Sequence, residues 1–373
     1  MEKFRDMTVR KKSNITMIRN LVLFIALIIF TFWFLLKDQD LNELVRAIEK
    51  ADIKFIIMGA ILMFCVYLME SINIRSVLMS LGEKKFSMIR ALKYTSIGSF
   101  FSAITPAATG GQPVEIYYMS KDRIKASNGA MAMLIQLCGF QISTLVLSII
   151  SAILNPSLLK DGIIWFYLLG IIINGVALIF MLLGTFSSKV AHKFLKLLLK
   201  IMKLLKLRNY ELRKKKMEEG LIQYQKSAQY IKKNKIEFLK AILRVFIQIS
   251  IYHSIPYFIY RGFGLTKLNF FELFSMQAVL YTTVSGIPLP GSIGVSESLF
   301  LKLYGKAFGK TLLSGAMLLY RFVSFYLYII IFSIVVVVCA VKTKDIESEI
   351  EKDVKEIDGD YIKKKKGTLA YSL

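Results

Sequence analysis

The chain returns repeatedly to apolar runs, at residues 21–36, 53–74, 127–154, 163–184, 238–260 and 312–341, with strongly basic connections between them. Runs of this kind limit the backbone severely. A lipid interior supplies no hydrogen-bond partners, so a crossing segment must pair its own amides and carbonyls, as a helix does. Hydrophobic residues make up 55% of the 373 residues while the net charge is +24, a combination that places grease and lysine in separate segments. The expectation is an all-α polytopic membrane bundle forming one membrane domain over residues 21–341.

Two stretches break this pattern. Residues 104–115 read Ile-Thr-Pro-Ala-Ala-Thr-Gly-Gly-Gln-Pro-Val-Glu, and residues 286–297 read Gly-Ile-Pro-Leu-Pro-Gly-Ser-Ile-Gly-Val-Ser-Glu. Each places prolines and glycines inside an apolar surround and ends on a glutamate. Non-helical backbone survives at membrane depth only where protein or water covers it, and paired breaks in the two halves of a chain point to a transporter's binding site.

Charge orients the runs. Residues 1–20 are basic and fall on the cytoplasmic side by the positive-inside rule. Their basic head would also suit a signal peptide, but no small-residue cleavage site follows Leu36, so the first run is read as a retained span. The connection 37–52 carries five acids against three bases, with Leu41, Leu44, Val45 and Ile48 at amphipathic-helix spacing. Both flanks of 88–119 are basic, which two half-helices of a re-entrant hairpin satisfy and two thin spans also satisfy. Residues 185–237 hold fifteen Lys and Arg against four acids and are expected in the cytoplasm. The first part of this loop, around Val190, Leu197 and Leu204, carries an interfacial-helix pattern; an orientation signal with a solvated linker is the plainer alternative. The tail, 342–373, balances eight acids and eight bases and reads as a charged cytoplasmic extension. Spans and hairpins then form a pseudo-inverted repeat, with six full spans, two broken or re-entrant hairpins and both termini in the cytoplasm of a bacterial cell.

The motifs 106–115 and 288–297, in this order and separation, resemble the flippase-like family also called the lysylphosphatidylglycerol synthase transmembrane domain, the membrane part of multiple peptide resistance factor proteins. Glu70, Arg75 and Arg321 fit the same pattern. Ser292 stands where the family usually has a second glycine. The resemblance covers about residues 15–341 and implies movement of aminoacylated phosphatidylglycerol, or another amphipathic lipid, between leaflets. The family's lysyl transfer belongs to a large soluble domain, and no segment of these 373 residues is long enough for one. A phosphatidylglycerol lysyltransferase lacking that domain is the enzyme alternative, and a non-transporting membrane scaffold the third.

The candidate substrate-binding residues are Gly110, Gly111, Gln112 and Glu115 from one break, Gly291, Ser292, Gly294 and Glu297 from the other, and Arg321 and Arg75. Half-helix N-termini would offer amides to a phosphate, or the glycines would simply allow close helix packing. The glutamates would receive a cationic headgroup or a proton, or would pair internally with Arg321, Arg75 or Arg244. Arg321 would contact a lipid phosphate or Glu297, and Arg75 would bind ligand or snorkel to the interface. The tyrosines, Tyr252, Tyr304 and Tyr320 among them, read as belt or packing residues. No catalytic arrangement, metal set, cofactor motif or nucleic-acid-binding fold is found, and Cys65, Cys138 and Cys339 read as core residues. The expected partners are an anionic or aminoacylated membrane lipid, with a separate lipid-modifying enzyme and a homodimer left open.

Overall fold

A computed structural model describes residues 41–83, 86–105, 108–160, 162–204, 210–285 and 295–339. The first span and the charged tail expected from the sequence lie outside the described residues, as does the second break at 286–294. Everything described is helical or a short connection: α1 Leu41–Lys50, α2 Ile53–Ser80, α3 Met88–Ile104, α4 Gly111–Lys121, α5 Ala126–Leu154, α6 Ile163–Phe186, α7 Ser188–Leu204, α8 Tyr210–Lys233, α9 Lys235–Gly262, α10 Phe270–Ser285 and α11 Val295–Arg321.

Four helices, α2, α5, α6 and α9, have the length and apolarity to cross a bilayer, and a fifth candidate runs Ser296–Cys339. Their outer faces are apolar. On α6, Trp165, Phe166, Leu169, Ile172 and Phe180 are all exposed, the inverse of a water-soluble helix and the expected face toward lipid. Inner faces carry small and polar residues. An added Cβ on Gly170 would collide with the Thr282 carbonyl oxygen, and Asn174 Nδ2 donates to Gly170 O at 2.7 Å and to Ser285 Oγ at 2.9 Å. This is close helix approach through small residues, sealed by an inter-helix amide.

The stretch Ser296–Cys339 is not one rod. Gly309 has φ 68° and ψ 168°, and contacts pair residues on either side of it. Gly305 faces Leu313, Phe300 stacks at 5.7 Å on Tyr320, and Glu297 reaches Arg321 at 2.6 Å. A continuous helix would hold those last two about 36 Å apart. The chain therefore reverses at Gly309, in the gap the sequence leaves between the second broken stretch and the last span. The first leg, 295–308, folds back on residues 310–321. A π-helical turn, Phe322–Tyr326, comes next, and the helix continues to Cys339.

Four shorter helices form two antiparallel pairs. In the first, α3 and α4 face each other with Gly98 against Glu115 and Ser102 against Gly111; Lys93 and Tyr94 both hold Asp122 at the base. In the second, the Tyr304 hydroxyl on the first leg of α11 meets Gln277 Oε1 of α10 at 3.2 Å. At 17, 11 and 16 residues, α3, α4 and α10 fall short of the roughly 20 residues a span requires.

The basic connection is not a solvated linker throughout. Its second helix, α8, docks on the bundle: Ile231 is buried, Ser227 Oγ donates to Asn128 Oδ1 at 2.8 Å, and the Tyr224 hydroxyl donates to Gly184 O at 2.7 Å. In α7, Leu204 and Leu197 stay exposed beside Lys193, Lys196, Lys200 and Lys203. At the opposite end of the bundle, α1 lays Ala47 on Gly315, and Asp52 N donates to Gly262 O at 2.8 Å.

Candidate functional site

Two hydroxyls hold the first break, and Ser102 Oγ donates to Ala108 O at 3.4 Å. Thr105 Oγ1 donates to Phe101 O at 2.7 Å and accepts from Gly110 N at 2.9 Å, which ties the last turn of α3 to the first of α4. Between them Ala108 sits at φ 55°, a left-handed conformation that a residue with a Cβ adopts at a cost. Beyond this turn the two helices touch backbone to backbone. An added Cβ on Gly111 would lie 2.6 Å from the Gly98 carbonyl oxygen, and one on Gly98 would lie 2.5 Å from Glu115 Cδ. The glycines thus bring the Glu115 carboxyl flat against the backbone of α3.

Glu115 is 3% exposed. Its Oε1 is buried and has no hydrogen-bond partner among the described residues. A second carboxylate, Glu70 of α2, is close enough for the two to act on each other electrostatically. The helices explain this proximity, since Ser71 Oγ donates to Thr95 Oγ1 at 2.9 Å and Gly98 lies one turn beyond Thr95 on α3.

Glu70 is held by a ladder of amides that crosses three helices. Gln248 Nε2 of α9 donates to Glu70 Oε2 at 3.2 Å, Gln136 Nε2 of α5 donates to Gln248 Oε1 at 3.0 Å, and Asn73 Nδ2 of α2 donates to Gln136 Oε1 at 2.6 Å. Arg244 Nη1 closes the far end on Asn73 Oδ1 at 3.4 Å. Asn73, Gln136 and Gln248 are all buried. Every donor points toward the carboxylate end, so the ladder fixes Glu70 without neutralising it.

The second carboxylate is neutralised. Arg321 Nη2 lies 2.6 Å from Glu297 Oε1 and also donates to Ser296 Oγ; Ser296 Oγ in turn donates to Glu297 Oε2 at 3.0 Å. Both side chains are about nine-tenths buried, and the guanidinium rests 5.4 Å from the centre of the Phe325 ring. Beside them runs a chain of hydroxyls. Tyr320 donates to the Tyr252 hydroxyl at 2.8 Å and accepts from Gln277 Nε2 at 2.6 Å. Tyr252 stacks edge-on with Tyr281 at 5.1 Å, and Tyr281 and Tyr67 lie within electrostatic reach of Glu70. A polar and aromatic seam therefore runs through the apolar interior from Glu297 and Arg321 to Glu70 and Glu115.

Of the residues singled out in the sequence, the structure brings Gly110, Gly111, Gln112 and Glu115 together at the tip of one pair of helices and Glu297 with Arg321 at the other. Gly291, Ser292 and Gly294 lie outside the described residues. Arg75 stands apart, with Nε donating to Phe86 O at 2.7 Å, and so fastens the loop between α2 and α3. Tyr304 and Tyr320 belong to the interior seam. The residues that sequence reasoning misses are the amides Asn73, Gln136, Gln248 and Gln277. Uncharged but polar residues in apolar helices are the available signal, because each needs a partner there. Arg321 and Glu115 offer opposite ends of one recognition problem: a buried donor fork suited to a phosphate, and a buried carboxylate suited to a cation.

Residues 21–331 match the family model described as lysylphosphatidylglycerol synthase TM region. No curated protein matches the chain.

Proposed function

Because the chain belongs to the family of lysylphosphatidylglycerol synthase transmembrane regions, we propose that it is a lipid translocase, moving a polar-headgroup lipid such as lysyl-phosphatidylglycerol between the leaflets of a bacterial cell membrane. The observation that carries this reading is the buried charge beside the two breaks in the sequence, Glu115, Glu297 and Arg321, with the half-buried Glu70 of α2 near the first. A charge at membrane depth costs from about 3 to more than 10 kcal/mol by different measures, and such residues mark substrate paths. The phosphate of a headgroup would exchange into the Arg321 and Ser296 donors, and its ammonium would approach Glu115 and Glu70. The acyl tails would stay in the bilayer.

In this reading the two helical pairs are inverted counterparts, and rocking of one half against the other opens the seam to each side in turn. The basic α7 and α8 lie on the cytoplasmic side together with both termini. The lysine-flanked apolar stripe of α7 rests on the anionic surface and gathers lipid there.

The test is headgroup movement in proteoliposomes, using fluorescent phosphatidylglycerol and lysyl-phosphatidylglycerol with a membrane-impermeant quencher. The reading expects protein-dependent movement of the lysylated lipid that disappears in Arg321→Ala. Immobility of both lipids in correctly inserted wild-type protein would contradict it.

A further inference from the structure

Neither Glu115 nor Glu70 meets a counter-charge among the described residues. Glu297 has Arg321 at 2.6 Å. Glu115 has the Gly98 backbone on one side and the like charge of Glu70 within electrostatic reach, and its Oε1 has no partner among the described residues. Two like charges beside an apolar interior repel, and Glu115 is buried without compensation from the described residues. The other groups facing them do not relieve this. From α2 and α10 come the hydroxyls Tyr67 and Tyr281, from α9 and α5 the amides Gln248 and Gln136, and from α3 the Gly98 backbone. Arg244 is held by Asn73 at the far end of the amide ladder, Arg75 is turned to Phe86 O, and Lys93 is paired with Asp122. Among the described residues the pair has no cation of its own.

We propose that Glu70 and Glu115 form an exchange site. It carries a proton when empty and gives it up to the aqueous phase when the ammonium of a lipid headgroup takes its place, so that headgroup and proton move in opposite directions. This deepens the lipid-translocase reading and rests on it for the identity of the ammonium. The step balances: the carboxyl O–H bond breaks heterolytically, the proton leaves to water, and the carboxylate so formed pairs with the incoming N–H⁺ group. In each state the pair carries one net negative charge instead of two, and a return with neither proton nor ammonium is disfavoured, which makes the exchange obligatory. The nearby tyrosines Tyr67 and Tyr281 suit the ammonium, since an aromatic ring attracts a desolvated cation. The amide ladder keeps Glu70 fixed while the occupant changes.

The experiment uses the full chain in detergent and reads protonation without reading transport. Infrared spectra of the lipid-free protein at neutral pH should contain a protonated-carboxyl stretching band that is missing in Glu115→Gln. Adding short-chain lysyl-phosphatidylglycerol should remove the band and release a proton to a pH dye, whereas short-chain phosphatidylglycerol should do neither. Glu70→Gln provides a second variant should Glu115→Gln fold poorly, and it should abolish proton release as well. Absence of the band in wild type, or its appearance only when sodium is withdrawn, overturns the proposal in favour of an ionised pair or a sodium site. A band that persists under the lysylated lipid overturns the exchange. If the quencher assay still shows that lipid moving, the translocase reading survives that result; if the band is displaced as expected while no lipid crosses, the exchange step is supported and the translocase reading fails.

Discussion

The two broken stretches share a sequence signature, yet the two glutamates that end them occupy opposite electrostatic situations. Glu297 has an arginine, a serine hydroxyl and an aromatic ring gathered around it. Glu115 has glycine backbone and a second carboxylate. The cause is the path the chain takes beyond each break. After the second, the reversal at Gly309 returns the chain so that Arg321 lands on Glu297. After the first, α4 ends at Lys121 with its base tied through Asp122 to Lys93 and Tyr94, and no cation among the described residues is delivered to the tip. A shared motif therefore specifies the break and places the acid, while the next turn of chain decides whether the acid is structural or available.

The largest effect that would break this contrast is removal of the arginine. Arg321→Met should lower stability by about 3–5 kcal/mol, because it takes the guanidinium away from the buried Glu297 carboxylate. Replacing both partners, as in Glu297→Leu with Arg321→Met, should recover most of that loss, measured by thermal unfolding of the detergent-solubilised protein. Next come the glycines of the first pair. Gly111→Ala drives a methyl group against the Gly98 carbonyl, and neither backbone can yield alone. A loss of about 1–3 kcal/mol is expected, together with faster proteolysis at 105–110. Gly175, where an added Cβ meets nothing, should accept Ala with little change and serves as the control.

Smaller again is the amide ladder. Gln136→Leu strips partners from Asn73 on one side and Gln248 on the other, at a cost of about 1–3 kcal/mol. It should also weaken lysyl-lipid binding by loosening Glu70, whereas Gln141→Leu on the same helix should not. The smallest stability effect, with the opposite sign, belongs to Glu115→Gln. Removing an acid that owns no counter-charge should leave the unfolding temperature unchanged or raise it, whereas Glu297→Gln should lower it because Arg321 is then left without its charge partner. Equal effects of the two substitutions would dissolve the comparison.

Much of this arrangement is legible in the sequence because it is expensive in lipid. Prolines and glycines at 105–113 and 286–294, and Glu115, Glu297 and Arg321 within apolar runs, stand out for the same reason that they need protein around them. The all-helical architecture and the span boundaries come from apolar length, and α5 and α6 begin within a residue of the expected positions. Pairing is what the sequence does not show. By composition alone Arg321 is equally able to meet a phosphate or Glu297, and only the reversal at Gly309 decides its resting partner. The ladder is hidden because its members lie 63, 112 and 178 positions apart, and each alone is an ordinary amide. The docking of α8 is masked by its lysines, which dominate its composition while Ile231, Ser227 and Tyr224 make the contacts.

Glu115→Gln is the substitution with the least expected cost to the fold and the greatest expected cost to lipid movement. In proteoliposomes matched for inserted protein, with thermal unfolding measured on the same preparation, the account predicts a protein as stable as wild type that no longer moves lysyl-phosphatidylglycerol. Unimpaired movement of that lipid by the Gln variant would contradict it and leave Glu115 as a packing residue between α3 and α4.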